Sequence, residues 1–468
     1  MRALLLSLVL APALAASAVA ASTPPANPYT GPTGTSAMHG DSAASDTSPL
    51  PGPGTDGLSV LHVPLGAACP SILIGSDDLP VALCTGIADR APVAYLLDPA
   101  TGAPLARLAL TKGSLFSGVY PYLDGHDRLV FADGSGDLLR IAHERSPAGV
   151  WSLRVVQRTP LAARCGDGCG SVVGLAPDWR GRVWFATDAG VAGFVRRDGE
   201  VRVLRFGTGE HVANSIASSP GGTAVATDHA LYLLRAARRR GGRPLIVWRA
   251  AYDRGSARKP GQLSQGTGST PTFFGPRTGW EHLAIVDNAD GIEHLRVFGV
   301  GHGRSLCDLP VLPAGASGSE NSPVGAGRDV IVASTYGYPY PAVPDDAGPA
   351  VPATAPFAGG ITRIDVRRRG CATRWTQALR SAAVPKLSLA DGLIYTTARR
   401  SLEGGTDTGP LDTFDAVTVD LANGEVRSRS QLGATAADDT LQLAGNIGPG
   451  RVIWQGTISG VLRIAPAG

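Results

Sequence analysis

Four short apolar runs alternate with polar turns between Ser171 and Phe206: Val172-Val-Gly-Leu-Ala, Val183-Trp-Phe-Ala, Val191-Ala-Gly-Phe-Val and Val201-Arg-Val-Leu. Asp178-Trp-Arg-Gly-Arg, Ala189-Gly and Arg197-Asp-Gly-Glu separate them. Runs this short with turn chemistry between them are strands. Four strands in 36 residues have the size of one propeller blade. Comparable patterns recur, as in Leu129-Val-Phe-Ala-Asp-Gly-Ser-Gly, Ala224-Val-Ala-Thr-Asp-His-Ala-Leu-Tyr and Val417-Thr-Val-Asp-Leu-Ala-Asn-Gly. Innermost strands are predicted to begin near Pro70, Ser114, Ser171, Ala213, Ser269, Asn321, Val384 and Thr440. No window has a useful helical period. Asp198-Gly199 and Asn423-Gly424 read as two-residue hairpin turns, with positive φ at both central positions.

The last copy supplies three strands, Leu441-Gln-Leu-Ala-Gly, Val452-Ile-Trp-Gln-Gly and Gly460-Val-Leu-Arg-Ile. Leu58-Ser-Val-Leu-His-Val-Pro-Leu is one strand without a blade. Pairing it beside the C-terminal three completes a ring and removes exposed sheet edges. The expectation is an all-β single propeller of eight four-stranded blades over residues 58–468, with seven as the alternative count.

The Pro177-Asp-Trp-Arg-Gly-Arg-Val-Trp-Phe-Ala-Thr segment is similar to the strand–turn–strand of lactonase-type and NHL-type propellers. The eightfold count with Val452-Ile-Trp-Gln-Gly-Thr and Gly460-Val-Leu resembles the quinoprotein alcohol dehydrogenase superfamily. That resemblance implies a quinone-dependent dehydrogenase. The superfamily's disulfide between adjacent cysteines is missing, since no Cys-Cys pair occurs. Lys386 and Arg277 are the candidates for clamping a cofactor carboxylate. Fold likeness alone does not transfer an activity.

Residues 1–20 read as a signal peptide, with Arg2, an apolar stretch and a small-x-small site at Ala18-Val-Ala20. Residues 21–57 hold mainly Pro, Ser, Thr, Ala and Gly. With so little apolar bulk they are expected to form a disordered leader. No later run is long enough to span a membrane, so a secreted or periplasmic monomer is expected. The net charge of +3 gives no reason to expect nucleic acid. Arg238–Arg240 and Arg367–Arg369 read as solvated loops.

Six cysteines in an exported chain fit three disulfides. Cys165 and Cys169 close a tight loop whose glycines permit the bend. Cys69 with Cys84, and Cys307 with Cys371, follow from proximity in the repeat frame. A metal reading of Cys165 and Cys169 lacks a second Cys or His pair at matching spacing. Trp184 and Trp454 stand at equivalent second-strand positions, as core packing between blades would require.

Two insertions, Tyr336 to Gly359 and Arg400 to Thr413, are predicted to rise over one face of the ring, the channel mouth. Asp287, Asn288, Asp290, Glu320 and Asn321 map nearby, and their oxygens suit a hard cation such as Ca²⁺. The competing reading makes them turn formers, with Glu320 capping backbone amides. Thr270, Thr272, Tyr336, Tyr338, Lys386 and Asp439 are further candidates for ligand contact. Asp438 and Asp439 either repel or share a cation. His282 and His294, beside the acidic cluster, read as structural.

Gly-x-Ser-x-Gly, His-Glu-x-x-His and phosphate-loop motifs are all missing, as is a dinucleotide fingerprint placed between a strand and a helix. The first functional reading is therefore a non-catalytic propeller binding a small molecule, a cation or a partner's segment at its mouth. The second is a divalent-metal-dependent, lactonase-like hydrolase using Asp287, Asn288 and Glu320. The third is the quinone-dependent dehydrogenase.

Overall fold

The computed structural model describes residues 23–113, 119–166, 168–237, 242–402 and 404–467. The signal segment, Ser114 and Arg238–Arg240 lie outside the described residues. Eight antiparallel four-stranded sheets form the ring. Blade 1 runs from Ala67 to Ala109, blade 2 from Tyr122 to Pro160, blade 3 from Val172 to Arg205 and blade 4 from Ala217 to Ala251. Blade 5 runs from Thr272 to Val311, blade 6 from Val324 to Gln377 and blade 7 from Lys386 to Gly433. Blade 8 joins Asn446–Gly448, Val452–Gly456 and Gly460–Pro466 to Leu58–Pro64, in register from Leu58↔Pro466 to Pro64↔Gly460. The stitched closure is as expected from the unpaired strand, because pairing removes both edges of an otherwise open ring.

Bulky residues pack between neighbouring blades. Trp184 is fully buried in a cluster that includes Val225, Tyr232 and Leu234 of blade 4. Trp454 joins Val93 and Tyr95 of blade 1. Asp178 fixes the turn between the first two strands of blade 3. Its Oδ1 accepts the Arg180 and Arg182 amides, and its Oδ2 accepts Arg182 Nε and Trp184 Nε1 at 2.6 and 2.9 Å. Asp124 repeats this in blade 2, accepting the His126 and Arg128 amides and Arg128 Nε.

Several local expectations are corrected. The Asp198-Gly199 turn is a three-residue loop closed by Arg196 N to Glu200 O, with positive φ at Gly199 alone. Asn423-Gly424 belongs to a longer loop between Asp420 and Glu425, and again only the glycine has positive φ. One left-handed residue after a right-handed turn reverses the chain without straining Asp or Asn. Leu441 and Gln442 are not strand, since both have positive φ, and the innermost strand of blade 8 starts at Asn446. Blade 2 begins its innermost strand at Tyr122.

The largest correction concerns residues 23–57. Instead of a disordered leader, they thread the axial channel, and residues 34–48 are almost wholly buried. Carbonyls of Thr35, Ser36, Ser42, Ala43, Ser45, Asp46 and Ser48 accept amides of Ile74, Leu123, Ser218, Phe273, Gly325, Leu387 and Leu389, at 2.6–3.0 Å. Those donors come from blades 1, 2, 4, 5, 6 and 7. Asn27 Nδ2 reaches Pro177 O of blade 3, and Asn446 Nδ2 of blade 8 reaches Ala37 O. The segment touches all eight blades. Thr47–Ser48 also adds a short parallel strand to Lys386–Ser388. Composition misled because the segment lacks bulk for a core of its own, whereas a narrow channel needs small residues and exposed carbonyls.

All three expected disulfides are present: Cys69–Cys84, Cys165–Cys169 and Cys307–Cys371. The last staples the outermost strands of blades 5 and 6 across 64 residues of sequence. Chain entropy assigns such a link about 4 kcal/mol, against about 2 for the four-residue Cys165–Cys169 separation. Cys307→Ala/Cys371→Ala is therefore expected to lose about twice the stability that Cys165→Ala/Cys169→Ala loses in denaturant unfolding. Equal losses would contradict the staple.

Candidate functional site

The threading segment enters the ring from the face that carries the turns between first and second strands. Asn27 sits there against Pro177, and Gly52 N donates to Asp391 of the blade 7 turn. Between these points the chain reaches the opposite rim. Met38 packs with Val384, Ala444, Tyr120 and Leu443, and the His39 ring stacks on Tyr120 at 6.2 Å. The rim is built from loops that lead into the innermost strands.

Asp46 anchors the segment. Its carboxylate, fully buried, takes His39 Nδ1 at 2.8 Å and Lys386 Nζ at 2.9 Å. Burial alone would raise this acid, but the charges of His39 and Lys386 outweigh it and hold the carboxyl below its ordinary value. Among the described residues, nearby Asp41 has no basic partner at such range. Burial pushes it up to about 6, although Ser45 Oγ and the Ala43 amide donate to it. Lys386 is thus engaged by the chain's own carboxylate. Beside it, between blades 7 and 8, lies a cavity of about 20 Å³ lined by Lys386, Tyr395, Thr396 and Gln455, room for about one water molecule.

The five residues assigned to a cation have separate partners. Asp287 Oδ1 accepts the Ala289 and His294 amides, and its Oδ2 lies 3.5 Å from His294 Nδ1 and 3.6 Å from Arg296. Asn288 accepts Gln262 Nε2 and donates to Arg254 O and Ala257 O. Asp290 is exposed and holds Ser256. Asn321 Nδ2 donates to Gln442 Oε1 at 3.0 Å. Glu320 Oε2 accepts Leu263 N at 2.9 Å. Among the described residues no group of three or more His, Cys, Asp or Glu side chains is placed to hold a metal ion.

The two insertions do share one face and are tied together. Phe357 N donates to Thr406 O, and Arg380 reaches Gly405 O and Asp407 O. Their latch is Arg399, a residue the sequence offered no signal for. It binds Asp412 at 2.7 Å and Asp439 at 3.1 Å while stacking on Phe414. Tyr338 donates its hydroxyl to Asp439 as well. Asp438 points elsewhere and caps Thr435, so the two neighbouring carboxylates share nothing. Thr272 Oγ1 donates to Ala44 O and Pro323 O as part of the channel wall. Thr270 is buried, with its amide on Ser322 Oγ. Tyr336 is half-buried on Ser334.

Lead-in loops of alternate blades meet over the channel. Tyr120 (blade 2) donates to Asn214 Oδ1 (blade 4) at 3.3 Å, and Asn214 Nδ2 donates to Thr267 O, in the lead-in to blade 5, at 3.4 Å. Asn321 and Gln442 then join blade 6 to blade 8. Burial pushes the Glu320 carboxyl up to about 7, against the Leu263 and Asn214 hydrogen bonds and the Arg258 charge. A second acid, Glu293, is pushed up to about 8 by burial, although Lys259 Nζ lies 3.2 Å away.

No family model matches this chain. By structure it superposes on a europium-containing methanol dehydrogenase, with a TM-score of 0.54 and 10% identity, over 92% of this chain and 98% of that one. It superposes equally on the quinohemoprotein alcohol dehydrogenase of Comamonas testosteroni, with a TM-score of 0.54 and 10% identity, over 94% of this chain and 81% of that one. The likeness is one of fold. A curated relative, an uncharacterized protein of Archaeoglobus fulgidus, is 25% identical over 327 residues. The match covers 63% of this chain and 61% of that relative's length.

The residues do not fit a quinone and its metal. The axial channel is filled by residues 34–48, Lys386 is bound to Asp46, and every cysteine pairs with one that is not its neighbour in sequence. Arg277 is exposed on the turn of blade 5, where it pairs with Glu281. No redox step is derived through these residues.

Lys386→Met leaves the buried Asp46 with His39 alone. Breaking such a pair is expected to cost about 3 kcal/mol in denaturant unfolding, and adding Asp46→Asn to recover part of it. A loss under about 1 kcal/mol would show that the axial pair does not anchor the segment.

Proposed function

We propose that the protein is exported and serves as a binding propeller, taking a small molecule or a partner's segment at the rim above the buried Met38 and His39. The observation that carries this reading is the filled channel. With the axis occupied by the chain itself, this reading assigns the ligand to the rim bounded by the lead-in loops and the two latched insertions. Three disulfides, and the lack of any helix long and apolar enough to cross a membrane among the described residues, accord with a location outside the cytoplasm. The reading assigns no catalytic step. The oxygens that a lactonase-like metal site would need are hydrogen-bonded within separate turns.

A thermal-shift panel of sugars, carboxylates and amines tests the rim as the binding face. Hits are expected to vanish in Tyr340→Ala and to persist in Leu245→Ser, on the outermost strand of blade 4. Hits that survive Tyr340→Ala, or the absence of hits in every class, would overturn it.

A further inference from the structure

The chain has three lysines, Lys112, Lys259 and Lys386, and the last two are buried. Lys386 anchors the axial segment through Asp46. Lys259 opens a β-turn in the lead-in to blade 5, Lys259-Pro-Gly-Gln262, closed by Gln262 N to Lys259 O at 3.1 Å. Pro260 followed by Gly261 at a φ of 83° is the signature of a type II turn. Such a turn brings its first and fourth Cα atoms within about 7 Å, so the Lys259 and Gln262 side chains start as neighbours.

Both side chains end on one atom. Lys259 Nζ and Gln262 Nε2 each lie 3.2 Å from Oε1 of Glu293, the first residue of the third strand of blade 5. Lys259 Nζ also donates to Ala289 O at 2.7 Å, and Gln262 Nε2 to Asn288 Oδ1 at 3.0 Å. Gln262 Oε1 accepts the Lys259 backbone amide at 2.9 Å. Lys259, Gln262, Asn288 and Glu293 are all buried, and Glu293 Oε2 has no hydrogen-bond partner among the described residues.

An ion pair between Lys259 and Glu293 would need no carboxamide beside it. This arrangement supplies every part of an amide exchange. The basic residue is a lysine in a chain that otherwise uses arginine, and an amine can act as nucleophile where a guanidinium cannot. Gln262 presents the carboxamide, with a backbone N–H already on the oxygen where negative charge develops. Glu293 Oε1 stands within proton-transfer distance of both the attacking and the departing nitrogen. Burial pushes the Glu293 carboxyl up to about 8, so it can take the lysine's proton near neutral pH and leave a free amine.

We propose that this chain joins Lys259 to Gln262 by an Nε-(γ-glutamyl)lysine link, with Glu293 as the acid–base catalyst. Glu293 first takes a proton from the Lys259 ammonium. Nζ then adds to Cδ of Gln262, Glu293 passes its proton to Nε2 and recovers one from Nζ, and the Cδ–Nε2 bond breaks. Ammonia leaves, the Nζ–Cδ amide remains, and Glu293 is left as the neutral acid. No oxidant, metal or second protein is consumed. Burial of the reacting side chains keeps out the water that would compete as nucleophile. The link locks the turn on which the blade 6 insertion rests, since Gly337 N donates to Pro260 O at 2.9 Å and Thr335 Oγ1 to Gly261 O at 2.6 Å. It does not depend on what the rim binds.

Peptide mass spectrometry of the full exported chain tests this. The purified protein is denatured, acetylated at its free amines, reduced and digested with trypsin. Cleavage after Arg258 and Arg277 is expected to release residues 259–277 one ammonia lighter than their sequence mass. That peptide should carry no acetyl group on Lys259 and give no fragment ions from cleavage between Lys259 and Gln262. Lys259→Arg and Glu293→Gln are each expected to restore the full mass, and the wild-type mass decides the matter even where a variant does not fold. Full mass with an acetylated Lys259, loss of water in place of ammonia, or an undiminished link in Glu293→Gln would overturn the proposal.

Discussion

A ring of blades leaves eight innermost strands with one unpaired edge each, all facing a common axis. Buried amides without partners cost about 1–3 kcal/mol apiece, so the axis must be wet, liganded or filled. This protein fills it with its own chain. Seven carbonyls between Thr35 and Ser48 accept the inward-facing amides of six blades, and side-chain amides of Asn27 and Asn446 reach the other two. The remaining features of the site follow from that choice.

Filling the axis with peptide brings a charge problem with it, because Asp46 lies fully buried in the channel. Lys386 and His39 answer it from opposite sides. A lysine that fold likeness would recruit for a cofactor carboxylate is thereby taken by a carboxylate already present. The fold shared with the quinohemoprotein alcohol dehydrogenase of Comamonas testosteroni therefore leaves this chain's centre to be read from its own residues, because function resides in sites rather than in folds. Above Met38 and His39, the lead-in loops of blades 2 and 4 meet through Tyr120 and Asn214, and those of blades 6 and 8 through Asn321 and Gln442.

At the rim the two long insertions behave as structure first. Arg399 gathers Asp412 from one insertion and Asp439 from the lead-in to blade 8, and Tyr338 of the other insertion bonds the same Asp439. A buried guanidinium satisfied by two carboxylates and Gly409 O rigidifies what would otherwise be mobile loops. Tyr340 is consequently held edge-on to Tyr338, two residues away.

By itself the amino-acid sequence determined the strands, their grouping in fours, the count of eight, the closing of the ring by Leu58–Pro64 and the three disulfides. All of these are written in short-range apolar periodicity, turn residues and cysteine spacing, which need no knowledge of distant contacts. Glu320, Tyr338 and Asp439 were legible as candidates because polar residues preceding innermost strands, or lying in the long insertions, must surface on one face. What only the tertiary structure decided was how they are used. Around Asp287 the expected cation ligands have separate partners, as where Asp287 Oδ1 accepts the Ala289 and His294 amides and Asn288 Oδ1 accepts Gln262 Nε2. Arg399, Tyr120 and Asn214 carried no local signal, since their partners lie 13 to 94 residues away. Residues 23–57 looked disordered for the same reason. Small polar residues have no core to offer one another, and their order is supplied entirely by the channel that eight other segments build around them.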